Sequence, residues 1–346
     1  MKSYISRLMY GRKLGSHEYR ALLSCSGAMA AELRDAAVRT AQQRFGCAIF
    51  VRGLIEISSY CKNNCLYCGL RAGNDHAERY RLTESEILEC CRQGYSAGLR
   101  TFVLQGGEDS WWSDERLVPL IEKISTKYRD AAITLSLGER SRESYKRLKE
   151  AGATRYLLRH EAANEQLYRD VHPANMSHKN RLEAIKALID EGYQTGMGMM
   201  IGLPGQSVDN IVEDIELLAL LRPQMVGIGP FIPHPRTPFM GHTAGDIELT
   251  LNTIAIVRLL LPNALIPATT ALATLLDNGH HLAIKAGANV IMPNLSPVDV
   301  RSKYAIYAGK KASETEAVEG LKSLERELAE FGYTIDYGKG DYNDTL

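Results

Sequence analysis

The sequence carries no surplus of charge. Its 41 lysines and arginines are matched by 41 aspartates and glutamates. No broad field therefore attracts nucleic acid or an anionic membrane, and recognition must be local. A long apolar run is missing too: nothing approaches the roughly 18 uninterrupted apolar residues of a membrane span. The nearest stretch, "IAIVRLLLP", is broken by Arg258 and reads as a buried helix. The opening "MKSYISRLMYGRKLG" has no continuous apolar core and does not fit a signal peptide. Low-complexity segments, linkers and repeats are also lacking. Cysteine disappears after Cys91, and the total of seven is odd. Both facts argue against a disulfide framework and for a reducing, cytoplasmic setting. At 45% hydrophobic residues the chain has ample material for a large core.

Residues 1 to about 45 are rich in Ala, Leu and Arg with apolar positions three or four apart, which predicts helix ending at Gly46. Eight short apolar stretches follow: "CAIFVRGLIEIS", "TFVLQ", "AAITLSL", "RYLLRHE", "TGMGMMIG", "MVGIGPF", "LIPAT" and "NVIMP". Amphipathic segments separate them, among them "TESEILECCRQGYSAG", which Thr83 and Glu86 open as a capping box. Eight βα units at this length predict an α/β fold, a (βα)8 TIM-type barrel with an N-terminal helical extension and a C-terminal helix. An open doubly wound sheet is the competing arrangement. The expected division is 1–46 for the extension, 47–310 for the barrel, and 311–346 for a C-terminal helix and tail packed on it. The last helix is "SETEAVEGLKSLERELAEFG", and the tail "YGKGDYNDTL" is expected to fray.

Three of the seven cysteines, Cys61, Cys65 and Cys68, fall within the eight residues "CKNNCLYC". Cys25, Cys47, Cys90 and Cys91 read instead as packing residues. A disulfide would use only two of the three thiols. Structural zinc wants four ligands, with His76 the nearest candidate for the fourth, and would make the chain a zinc-stabilised binding protein. A 4Fe–4S cube has four irons, so three thiolates leave one iron open to a small chelator. The loop follows the first barrel strand and so belongs at the C-terminal mouth, where such barrels place their chemistry. In "QGGED", Gly106 and Gly107 admit a close backbone approach and Glu108 offers a carboxylate. "TLSLGE" ends the third strand with Ser136 and Glu139. Arg159 and Glu161, two apart in "RYLLRHE", share a side, and if buried they need pairing or a ligand; His160 faces the other way. "GMGMMIGLPGQS" lacks a dinucleotide fingerprint, and Met197, Met199 and Met200 read as packing.

"CKNNCLYC" resembles the CxxxCxxC signature of radical S-adenosylmethionine (SAM) enzymes, and "QGGED" resembles that superfamily's GGE motif. The resemblance implies one 4Fe–4S cluster on Cys61, Cys65 and Cys68, whose open iron binds SAM and cleaves it to a 5′-deoxyadenosyl radical. It implies SAM contacts from Tyr67, Gly106, Gly107, Glu108, Ser136, Glu161 and Arg181.

"LQGGED", "TLSLGE", "RYLLRHE", "GLPGQ", "VGIGPFIPHPRTPF", "IPATTALAT" and "GANVIMPNLSP" together look like the HydE family, the radical SAM maturases of FeFe-hydrogenase. That resemblance runs from about Arg52 to Tyr307. It implies a small organometallic substrate, an iron bearing CO, cyanide and cysteine, and contact with other maturases and an electron donor. The substrate end is then expected to be lined by Arg52, Arg159, Met225, Thr269, Thr270, Ala271, Tyr304 and Tyr307. Biotin synthase and the methylornithine-forming mutase share the barrel and cysteine loop, so a mutase or synthase of a small amino acid is the alternative. One departure is visible: many HydE proteins carry a second cysteine cluster near the C-terminus, and this chain has no cysteine there, so no accessory cluster is expected.

Overall fold

The computed structural model describes residues 1–311 and 317–344. Three helices, α1 (Lys2–Met9), α2 (Ser16–Leu23) and α3 (Gly27–Phe45), take the place of the one helical stretch expected. Gly46, at φ 63°, ends α3 where the sequence places the stop. Strands β1 (Ala48–Val51) and β2 (Gly53–Ser58) come next, the expected first strand being divided at Arg52. The alternation then runs α4 (Glu84–Ser96), β3 (Thr101–Gly106), α5 (Asp114–Lys127), β4 (Ala132–Ser136), α6 (Arg142–Glu150) and β5 (Ala153–Leu157). It continues with α7 (Glu165–Val171), α8 (His178–Asp190), β6 (Gln194–Ile201), α9 (Val208–Leu221), β7 (Met225–Pro230) and α10 (Ile247–Leu260). The chain finishes with α11 (Thr270–Leu275), α12 (Gly279–Ile284), β8 (Val290–Ile291), α13 (Val298–Arg301), α14 (Ala317–Glu330) and β9 (Thr334–Asp336). Residues 313–316 of the last expected helix lie outside the described residues.

Local signals explain the boundaries. Thr83 accepts from the Glu86 amide at 3.3 Å while the Glu86 carboxylate accepts from the Thr83 amide at 2.6 Å, the capping box that starts α4. Arg258 inside α10 is fully buried and donates to the carbonyls of Gly287, Pro262 and Ala264, which satisfies a charge the apolar helix could not otherwise hold.

Strands β2 to β7 form one parallel ladder in chain order, a six-stranded partial barrel. The ring is completed by shorter pairings. Val226 donates to Leu265, Ala268 to Val290, and Leu54 to Pro293. "LIPAT" is therefore held only by bridges and is too short to form a strand of its own. Ile55, Ile57, Phe102, Leu104, Ile133 and Leu135 point outward beneath the helices and are 0–1% exposed. This is the expected α/β barrel with N-terminal helices.

The C-terminal tail departs from expectation. Instead of fraying, β9 pairs with β1, and the residues after it plug the N-terminal end of the barrel. Thr101 and Arg155 both donate to the Lys339 carbonyl, at 2.9 and 2.8 Å, and Arg155 pairs with Asp341 at 2.7 Å. A wholly buried guanidinium needs such partners, and the tail supplies them.

Candidate active site

The cysteine loop leaves β2 and folds back over the C-terminal end of the barrel. Its shape is set by hydrogen bonds from outside the cysteine motif. Arg79 donates to the carbonyls of Ser59, Leu70, Arg71 and Asn74, drawing both limbs of the loop together. Asn74 donates to the Gly69 carbonyl at 2.7 Å. The loop is clasped against the end of β3, with the Lys62 amide donating to the Glu108 carbonyl at 2.9 Å. A Cβ built on Gly107 would lie 2.2 Å from the Tyr60 carbonyl oxygen and 2.7 Å from the Cys61 Cβ. Only glycine fits there.

Cys61, Cys65 and Cys68 are free and partly exposed. Burial pushes the Cys68 thiol up to about 12. Cys65 is raised further, by burial and then by the neighbouring Cys68 and Cys61 sulfurs. Thiols this close resist joint ionisation unless a cationic centre offsets their charge. Among the described residues no three His, Cys, Asp or Glu side chains are arranged around a single ion. His76 is 60% exposed beside Asp75, not a fourth ligand to the loop. The donor set, three sulfurs on one hydrogen-bonded loop, suits a multi-iron centre with one uncapped corner.

Charged groups crowd the neighbouring strand ends. The Glu108 carboxylate accepts from the Glu139 amide at 3.1 Å and lies 3.5 Å from Lys62 and 3.9 Å from Arg181. Gly138, at φ 77°, makes room for it, since a Cβ there would sit 1.9 Å from the Glu108 side chain. Arg181 donates to Glu139 at 2.5 Å and to the Arg159 carbonyl at 2.6 Å. Burial works against its charge, but Tyr168 and Glu139 more than compensate and raise its pKa. Arg159 and Glu161 do share a side, 3.6 Å apart. Beyond that ion pair Arg159 Nε and Glu161 Oε2 make no hydrogen bond, nor does the buried Thr269 Oγ1, which leaves capacity for a polar ligand at the barrel end. Glu161 adopts φ 63°, a strained conformation for a side-chain-bearing residue. His160 faces away and meets Asp214 at 3.2 Å, the structural role expected. Tyr67 is tied to His172, hydroxyl to Nε2, at 3.0 Å. The His172 Nδ1 is taken up by the Tyr168 carbonyl at 2.8 Å.

The expected substrate residues divide into two groups. Thr269 abuts Gly229 at the end of β7, and Thr270 and Ala271 open α11 beside it. Tyr304 reaches Gln105 at the end of β3, with 3.4 Å between amide nitrogen and hydroxyl oxygen. Tyr307 lies within the electrostatic reach of Arg159. All of these belong to the C-terminal end. Arg52 and Met225 do not. They begin strands, and Arg52 donates to the Met225 sulfur at 3.0 Å and to the Gly340 carbonyl at 3.4 Å, at the end closed by the tail. Ser136 ends β4 beside Gln105.

Arg79 and His172 do not stand out in the sequence, nor do Gln105 and Glu56 within the stretches "QGGED" and "CAIFVRGLIEIS"; Glu56 accepts from Lys310 and Asn294 inside the barrel. A groove of about 870 Å³ runs along the outer helices through Asp114, Arg140 and Asn180. It shares only Lys62 and Glu139 with the site described here, so the chemistry is assigned to the barrel end.

The profile of the Radical SAM superfamily matches residues 55–218. The chain is 47% identical over 265 residues to the [FeFe] hydrogenase maturase subunit HydE of Thermotoga maritima, covering 77% of this chain and 75% of that protein. It is 29% identical to the 3-methylornithine synthase of Methanosarcina barkeri, over 84% of this chain and 82% of the relative. The crystal structure of methylornithine synthase (PylB) superposes with a TM-score of 0.84 at 27% identity, covering 96% of this chain and 97% of that one.

Proposed function

Because the chain belongs to the HydE family of radical SAM enzymes, we propose that it serves FeFe-hydrogenase maturation by acting on an iron complex bearing CO, cyanide and cysteine. The observation that carries this reading is the three-cysteine loop clasped against Gly107 at the C-terminal barrel end. Bound on Cys61, Cys65 and Cys68, a single 4Fe–4S cluster with SAM supplies reductive cleavage of the sulfonium and a 5′-deoxyadenosyl radical.

The chain's own residues bind and orient. Gly106 and Gly107 admit the cofactor to the backbone, and Glu108 accepts from its amino group. Arg181, already fixed by Glu139, faces the carboxylate, while Glu161 takes the ribose hydroxyls and Ser136 adds a donor at the adjoining strand end. The Tyr67 ring walls the site with its hydroxyl held by His172. Arg159, Thr269, Thr270 and Ala271 meet the anionic part of the substrate, and Tyr304 and Tyr307 cover it. Arg52 and Met225 are assigned to the opposite end of the barrel. The closed ring keeps water from the reacting centre. Because this sequence has no cysteine beyond Cys91, this reading has one cluster and no accessory one. The reading places the protein in the cytoplasm, with other maturases and an electron donor as partners. Among the described residues no helix is long and apolar enough to cross a membrane.

A second reading is favoured by the extent of the match to methylornithine synthase, since Arg159 and the Thr269–Ala271 turn suit an amino-acid carboxylate equally well. The test is SAM turnover by the anaerobically reconstituted protein. Formation of 5′-deoxyadenosine that rises on adding the iron–cyanide–cysteine precursor supports the maturase; a rise only with a free amino acid supports the mutase.

A further inference from the structure

Glu56 and Lys310 form an ion pair for which the functions above have no use. Glu56 lies on β2, facing the barrel interior, with its side chain wholly buried. Lys310 Nζ meets one carboxylate oxygen at 2.7 Å, and the Asn294 amide donates to the other at 2.9 Å. The Lys310 side chain is itself only 9% exposed. A buried pair of this kind adds little stability over well-packed apolar side chains, so its presence calls for another explanation.

Its position supplies one. Lys310 ends a segment that starts at Tyr304 and crosses the C-terminal mouth. The Gly69 amide of the cysteine loop donates to Ile306 at 2.9 Å, and the Ala308 amide donates to Pro233 at 3.3 Å. The approach at Gly69 is so close that a Cβ there would lie 2.1 Å from the Ala305 carbonyl. The pair is electrostatically linked to both tyrosines of the segment. Tyr304 feels Glu56 and Cys68, whereas Tyr307 feels Glu56 and Arg159. The segment that carries Lys310 is thus tied to the cysteine loop at Ile306 and to the barrel interior at Glu56. An ammonium has three N–H donors; Glu56 occupies one, and with the Tyr304 ring centroid 5.1 Å from Nζ at least one remains for a second acceptor.

We propose that Lys310 is a specificity-determining residue, positioned by Glu56, whose ammonium binds the carboxylate of an amino-acid substrate, free or bound to iron. The proposal rests on the barrel end being the substrate site, as the proposed function has it. Lys310 and Arg159 then approach the substrate from opposite elements, one on the covering segment and one on a strand end. The cation lies on the segment that covers the mouth, anchored there by the Gly69–Ile306 and Ala308–Pro233 hydrogen bonds.

The test is equilibrium binding to the reconstituted, SAM-loaded protein. Four probes are compared: the iron–CO–cyanide complex of L-cysteine, the same complex of L-cysteinamide, free L-cysteine and free L-cysteinamide. Lys310→Met is expected to weaken the carboxylate form about 30-fold and to leave the amide form within about threefold, whereas Lys310→Arg stays within about threefold for both. If that pattern appears with the iron complexes, proposal and maturase reading stand together. If it appears only with the free amino acid, Lys310 keeps its role and the maturase reading falls. Equal losses for acid and amide, or no loss in Lys310→Met, overturn the proposal, as does wild-type protein that binds none of the four. Iron content and circular dichroism establish that each variant is folded and loaded.

Discussion

Gly107 is the residue at which fold and chemistry meet most tightly. Its missing side chain lets the cysteine loop lie on the end of β3. Gly107→Ala is expected to displace that loop and reduce iron from about four per chain to near zero after anaerobic reconstitution. Gly241→Ala, where a Cβ meets nothing within 4 Å, should retain full iron. His172 offers a second test. Burial lowers its pKa from 6.5 to about 4. The unfolded chain takes up this proton near pH 6.5 and the folded protein only near pH 4, so the stability held by the neutral ring is whole above pH 6.5 and lost as pH falls through that window. The loss is on the order of 3 kcal/mol. Urea unfolding at pH 7 and pH 5 should show a steeper decline for wild type than for His172→Gln. At this scale the cysteines and the Gly-Gly-Glu run were legible because their chemistry depends on local spacing. Arg79 and His172 were not, since their partners are assembled only when distant segments meet.

Among the elements, the strands were legible where apolar runs were long enough to sustain a ladder. "LIPAT" was not, because it joins the ring through bridges alone. The tail was misjudged for a different reason. Its polar, glycine-rich composition suits a frayed end, but buried Arg155 and Arg52 at the bottom of the barrel recruit its backbone carbonyls and Asp341. Asp341→Asn is therefore expected to destabilise the protein by about 2–4 kcal/mol, below the full cost of breaking a buried pair because Asp341 is half exposed. Chemical denaturation with the iron content held constant measures this. A loss under about 0.5 kcal/mol would show that the Lys339 carbonyl alone suffices for Arg155.

For the molecule as a whole, the direction of the strands sorts the residues. Those that follow strands gather around the cysteine loop, and those that begin strands meet the tail. This polarity is why Arg159 falls beside Glu161 and Thr269 beside Gly229, while Arg52 meets Met225 and the tail. A sequence read residue by residue does not display that sorting, because it depends on the register of the closed ring. The central claim remains an iron corner that the protein leaves for SAM. Its most direct test is the electron paramagnetic resonance spectrum of the reduced, reconstituted protein, recorded without and with SAM. A single 4Fe–4S signal whose g-values shift on adding SAM is the predicted result; a spectrum that SAM leaves unaltered would contradict the account.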